Sequence, residues 1–327
     1  MNKGLTETIC TRYNLHRLPE AISFIEDDRV TLKLDTSKIM EDNMQDGGNA
    51  FEGWAIVAHI CSGYKDVILD VNEDKDYCLL DYKGKYVKHG HWCRFLYRAK
   101  RFSEQYTWFK LSDEHKLEDI ANDFVGFLEK NTFINNVPTK EAEETDRITD
   151  ENNVEAKLAE GSKLQDILNN TVNLDIGSGQ VHRQLPVGLF KEKKERDTAI
   201  FTNGHSAIDL WNRNDNTINV VELKTHNRMI GIITEIFFYS NYMLDLVSEN
   251  GLFEIAKGGT ERGYNELEKG LKNVNGILLA DDDKNGGFYP CVDDEVIMIL
   301  KENGKDNLDY YKANYHVTSS VEVTKPS

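Results

Sequence analysis

The sequence predicts an α/β protein, with a mixed sheet core flanked by helices in its C-terminal half and a smaller mixed α+β domain before it. Three observations carry this. Two apolar runs, 205–211 and 218–224, flank Asn212-Arg213-Asn214-Asp215-Asn216, a cluster of turn formers, and so mark a β-hairpin. Helical stripes stand on either side: Leu158, Leu164, Ile167 and Leu168 before it, and an apolar stretch from about Arg228 to Val247 after it. A further strand pattern, Gly276-Ile277-Leu278-Leu279-Ala280, follows that second helix.

The chain has 327 residues, which two domains accommodate most simply. The expected division is an N-terminal recognition or regulatory domain over 1–136, an acidic linker over 137–152 and a second domain over 153–327. Residues 137–160 carry eight acids against three bases, a solvated composition. Hydrophobic residues make up 39%, enough for a packed core. A net charge of −17 excludes a broadly cationic nucleic-acid coat but leaves room for a local positive cleft. The cysteines at 10, 61, 78, 93 and 291 form no CxxC pair, which points to reduced thiols and a cytoplasmic location. The start, MNKGLTETIC, has no apolar core of a leader, and no apolar run approaches the length of a membrane span.

In chain order, Val30-Thr31-Leu32-Lys33-Leu34 reads as a strand and Asp46-Gly47-Gly48-Asn49 as a turn. Residues 50–60 are apolar enough for either helix or strand. Residues 67–70 and 77–81 read as paired strands across Asn72-Glu73-Asp74-Lys75. From Tyr82 to Ser103 there is no acid, and Lys83, Lys85, Lys88, Arg94, Arg98, Lys100 and Arg101 are interleaved with aromatic residues. That stretch is the best candidate nucleic-acid surface, its bland alternative being an amphipathic helix with snorkelling cations. Leu117, Ile120, Phe124 and Leu128 mark a helix, and 184–190 a strand. Lys191 to Arg196 is a solvated loop, Tyr264 to Leu271 a short helix, and residues 294–301 and 308–317 supply further elements before a frayed tail.

The chemistry concentrates in the hairpin. Side chains on a strand alternate, so Ile218, Val220, Glu222 and Lys224 share one face, and Ala207, Asp209 and Trp211 share another. With suitable register Asp209 lies beside Glu222. Two carboxylates and an ammonium then meet at the edge of an apolar sheet, where a hard divalent cation is the natural neutraliser. Asp70 with Asp81-Tyr82-Lys83 has a similar spacing but no long helix directly after it, and reads as a structural hairpin.

Asp209, twelve intervening residues and Glu222-Leu223-Lys224 resemble the D-x(n)-E-x-K signature of the PD-(D/E)XK nuclease superfamily. Helix, three strands, helix, strand over roughly 153–281 is similar to that family's core order. Glu235 and Tyr239 resemble the Gln-x-x-x-Tyr motif of RecB-like members, with Glu in place of Gln. The resemblance implies a restriction-endonuclease-like fold and metal-dependent hydrolysis of phosphodiester bonds in DNA, or in RNA as the lesser reading, in restriction, phage defence or repair. It implies Asp209, Glu222 and the Leu223 carbonyl as holders of Mg²⁺ or Mn²⁺, and Lys224 as the group positioning water. Glu160, ahead of Glu155, would be an outer ligand, and Glu235 and Tyr239 would line the cleft. Two rivals stand beside this: a nuclease-fold binding module without catalysis, and an acidic interaction protein that mimics DNA. Homo-oligomerisation and a partner protein stay open.

Overall fold

The computed structural model describes residues 4–72, 90–142, 151–225, 228–282, 287–317 and 323–324. These form a mixed α/β structure with two mixed sheets flanked by helices.

The N-terminal part opens with α1 (Leu5–Arg12), then β1 (Ile22–Glu26) and β2 (Val30–Leu34), an antiparallel pair. Helix α2 (Thr36–Glu41) starts where the Asp35 carboxylate accepts from Ser37 N at 2.9 Å, satisfying an orphan helix donor. The apolar run at 50–60 resolves as helix, α3 (Phe51–Cys61). Its residues from Phe51 to Ile60 are all buried, the mark of a helix enclosed on every side. Strand β3 (Val67–Val71) then pairs in parallel with β2 and with β4 (Phe109–Leu111). Its expected partner at 77–81 lies outside the described residues. Helix α4 (Gly90–Gln105) and helix α5 (Leu117–Glu129) follow, and β5 (Phe133–Asn135) leaves this part altogether to join the second sheet.

That sheet has the order β11-β10-β9-β8-β7-β6-β5. After helices α6 (Glu151–Leu158) and α7 (Lys163–Val172) come β6 (His182–Lys191), β7 (Ala199–Asn214) and β8 (Thr217–Lys224), antiparallel throughout. Strands β8, β9 (Asn273–Asp281) and β10 (Leu308–Val317) are mutually parallel. Parallel neighbours need crossovers, here helices α8 (Gly231–Val247) and α9 (Asp294–Lys301). Instead of a helix over 264–271, a short 3₁₀ turn forms at Glu261–Glu266. In the tail, β11 (Val323–Thr324) pairs with the end of β10.

Alternation along β8 sets the two faces. Val221 and Leu223 pack with Leu164, Ile167 and Leu168 of α7, while Ile218 and Val220 belong to the core beneath α8. Helix α8 lies close to the sheet because Gly276 carries no side chain: a Cβ there would come within 2.5 Å of Ser240 Oγ and 2.8 Å of the Tyr310 ring.

The division expected at residue 136 is not a division of the core. One apolar cluster runs from Leu5 through Trp54, Phe95 and Phe133 to Ile236, Leu278 and Tyr310. Polar ties cross it too: Tyr97 Oη donates to Asp245 at 2.6 Å and Tyr106 Oη to the Leu300 carbonyl at 2.7 Å. The described N-terminal elements before β5 therefore pack over the large sheet and its helix α8. Among the described residues no helix is long and apolar enough to cross a membrane.

Candidate active site

The hairpin of β7 and β8 turns on Asp215 and Asn216 alone, with Asp215 in the left-handed region at φ 50. Leu210 faces Val221, so the next step along the ladder sets Asp209 against Glu222, as the alternation predicts. Asp209 Oδ2 accepts from the backbone N–H of Leu223 at 2.7 Å, which fixes the carboxylate over the adjoining strand. Glu222 and Lys224 are both buried. The Lys224 ammonium lies 2.5 Å from Glu222 Oε1 and 3.0 Å from Glu235 Oε2. Glu235 opens the second turn of α8, and Tyr239, one turn on, shares its face. These side chains, with Arg94, line a cavity of about 350 Å³.

Comparison with known protein families, curated proteins and solved structures yields no match for this chain.

The fourth acidic contribution comes from Glu155, not Glu160. The helix expected to carry both breaks at Gly161, which has φ 61, so α6 and α7 are separate and Glu160 falls in the turn between them. Its exposed carboxylate is taken up by Lys157 at 3.0 Å and Lys163 at 2.8 Å, beside a different cleft that also holds His182 and Glu266. Glu151 and Glu155, four residues apart on α6, face the hairpin instead. Oxygens of Glu151, Glu155 and Asp209 all lie within 4.8 Å of one another. Arg183 Nε stands 3.7 Å from Glu155 Oε2.

Crowded buried acids resist ionisation. Burial raises the Glu155 carboxyl to about 7, against the pull of Arg183. Asp209 is driven well above the usual carboxylate range by burial, opposed by Lys224 and reinforced by Glu151 and Glu155. Glu222 is raised likewise, by burial and then by Asp209 and Glu235. For Lys224 burial works against the charged form, but Glu222, Glu235 and Asp209 outweigh it and hold the ammonium well above its ordinary value.

The described part of the basic stretch lies on the amphipathic helix α4, and most of its described cations are spent within the fold. Arg98 is buried and forms a two-pronged pair with Glu52, at 2.8 and 2.7 Å, while Thr234 Oγ1 donates to the same carboxylate at 2.8 Å. Arg101 grips Asp245 from Nε and Nη2, at 3.0 and 2.7 Å. As a nucleic-acid surface these two are therefore corrected: their charge is already neutralised by a carboxylate within the fold, which leaves little to draw a phosphate. Arg94 is buried too, but it faces the cavity. Lys83, Lys85 and Lys88 lie outside the described residues, as do Asp81 and the other half of the second D-x(n)-D-x-K spacing. Asp70 itself accepts from His115 Nδ1 at 2.7 Å and pairs with Lys33 at 3.4 Å.

Sequence reading missed Gln45 and Gln184. With its amide turned to donate, Gln45 would reach the two Glu235 oxygens at 3.0 and 3.2 Å. Helix α8 can come this close because residue 231 is glycine; a Cβ there would collide with the Gln45 backbone. No sequence signal announces such a pairing. Gln184 stands on the cavity wall with φ 54, a conformation few non-glycine residues adopt, and its amide donates to Asn152 Oδ1 at 2.8 Å.

Proposed function

We propose that the chain is a metal-dependent nuclease of restriction-endonuclease-like fold that hydrolyses phosphodiester bonds of DNA, with RNA as the lesser substrate. The observation that carries this reading is the convergence of Asp209, Glu222, Lys224, Glu155 and Glu235 in one cavity, from four separate elements. The order α7, β6, β7, β8, α8, β9 agrees with the core of that family.

A divalent cation fits the donor set. Glu222 Oε2 is buried without a hydrogen-bond partner among the described residues, and oxygens of Glu151, Glu155 and Asp209 crowd together beside it. Hard oxygen donors of this kind suit Mg²⁺ or Mn²⁺. Asp209, Glu222 and the Leu223 carbonyl would hold it, with Glu155 as the outer carboxylate. When bound, such an ion neutralises phosphate charge and lowers the pKa of water. The chain's own groups do the rest. Lys224, pinned between Glu222 and Glu235, keeps its proton and orients the attacking water. Tyr239 and Glu235 shape the wall against which the scissile group rests. The described cysteines are free, which suits a reducing cytoplasm.

The deciding experiment incubates the protein with single- and double-stranded DNA and RNA under Mg²⁺, Mn²⁺ or chelator, beside Lys224→Ala. Cleavage that needs metal and disappears in the variant supports the reading. Equal cleavage by both proteins removes the site from this cavity. One observation favours a second reading, a catalytically silent binding module: the two ion pairs of Lys224 already neutralise much of the site. Calorimetry separates the two, since a silent module takes up neither Mg²⁺ nor Mn²⁺.

A further inference from the structure

We infer that Arg94 is a phosphate clamp within the candidate cavity, its guanidinium donating to a non-bridging oxygen of the substrate. The inference deepens the nuclease reading and rests on it for which phosphate is held, not for the anion site itself.

Arg94 is only 6% exposed. Its Nη1 donates to Ser206 Oγ at 3.4 Å, a long contact, and its Nε has no hydrogen-bond partner among the described residues. No described carboxylate stands within ion-pairing distance, although Glu235 and Tyr239 line the same cavity. The two other arginines of the helix make the contrast. Arg98 and Arg101 lie one and two turns on, and each is fully engaged by a carboxylate. A buried guanidinium without a counterion is costly, and a fold that pairs two of three arginines on one helix leaves the third for something else. Burial and neighbouring Arg98 push it down only to about 10, so it stays charged at neutral pH.

The cavity is otherwise acidic: Glu151, Glu155, Asp209, Glu222 and Glu235 against Lys224 and Arg94. Lys224 is held by two carboxylates, so Arg94 is the cation with donors to spare. A planar guanidinium offers paired N–H groups that match phosphate oxygens. It enters the cavity lining from α4, whereas Glu151 and Glu155 come from α6 and Asp209 and Glu222 from the hairpin, so a phosphate held there would have both a guanidinium and carboxylates suited to a cation in its walls.

The test is calorimetric titration of inorganic phosphate, with Mg²⁺ present and with chelator, into the full chain and into Arg94→Met and Arg94→Lys. Mg²⁺ alone is titrated separately. We expect phosphate affinity to fall at least about tenfold in Arg94→Met and less in Arg94→Lys, with Mg²⁺ affinity unchanged. Arg94→Met should melt no lower than the parent, because it removes an uncompensated buried charge; phosphate should raise the melting temperature of the parent only. Equal phosphate affinity in parent and Arg94→Met would overturn the inference, as would a parent that binds no phosphate. Should Arg94→Met fail to fold, Arg94→Lys decides on the same affinities. Loss of Mg²⁺ binding in the parent alongside Arg94-dependent phosphate binding would sink the nuclease reading and leave the clamp standing.

Discussion

The Lys224 ammonium on β8 and the Glu235 carboxylate on α8 meet at 3.0 Å across the junction of sheet and helix. Where the resembled motif carries Gln, this chain has an acid, so its central cation has two counterions, Glu222 and Glu235. Lys224→Ala, Asp209→Ala and Glu222→Ala should each reduce cleavage by about a hundredfold or more while circular dichroism stays native. Glu235→Gln, which keeps a hydrogen-bonding oxygen, should stay within about tenfold of the parent. Metal-dependent cleavage surviving in Glu222→Ala would move the chemistry elsewhere.

Glu155 and Glu160 should separate cleanly. Glu155→Gln is expected to weaken Mn²⁺ binding by about tenfold or more, because it removes a carboxylate from the group around Asp209. Glu160→Gln only frees two half-buried lysines outside the cavity and should change the titration by less than about twofold. Identical curves for the two variants would show that α6 supplies no ligand.

Acidity at the site implies a pH dependence of stability. The folded pKa of Glu155 is raised, so the folded state binds the proton more tightly than the unfolded chain does. Its contribution is therefore most favourable below the ordinary carboxylate value and is lost as pH rises from 4.5 towards about 7. Without metal, stability should fall across that interval by about 2 kcal/mol from this group. Glu155→Gln should flatten the slope and stabilise the protein at pH 8, and Mg²⁺ should do likewise for the parent. Thermal melts between pH 4.5 and 8 with chelator check this; a metal-free protein that gains stability over the range contradicts it.

Arg98 should matter to folding and not to substrate. Arg98→Met strands Glu52 in the core and should cost about 3–5 kcal/mol in denaturant unfolding. The double variant with Glu52→Leu should recover most of that loss. Nucleic-acid affinity per folded molecule, and its salt dependence, should be unchanged in Arg101→Gln; a slope shallower by about one unit would return this cation to the substrate surface.

Periodicity revealed the hairpin, the helix after it and the pairing of Asp209 with Glu222, because strand alternation is local and survives any tertiary context. Val30–Leu34 and Asn273–Asp281 were legible for the same reason. Glu160 misled because a helical stripe counted through Gly161 assumes one unbroken helix, and a left-handed glycine ended it. Arg98 and Arg101 misled because Glu52 and Asp245, their counterions, lie 46 and 144 residues away. Nothing along the chain distinguishes a cation spent on a distant acid from one offered to solvent. Gln45 was invisible for a similar reason: its place beside Glu235 depends on a glycine in another element.

The unbroken core bears on how the polypeptide could be divided. Strand β5 is the edge of the large sheet, yet it precedes the acidic segment at 137–152. Fragments 1–142 and 151–327, produced separately, would each leave α3, α4 and α8 without their covering partners and should aggregate. Co-expressed, they should reassociate into a soluble nicked protein, with Arg94 on one fragment and the hairpin on the other. Metal uptake would then report complementation, and a protease cutting once between those fragments would leave the assembly intact.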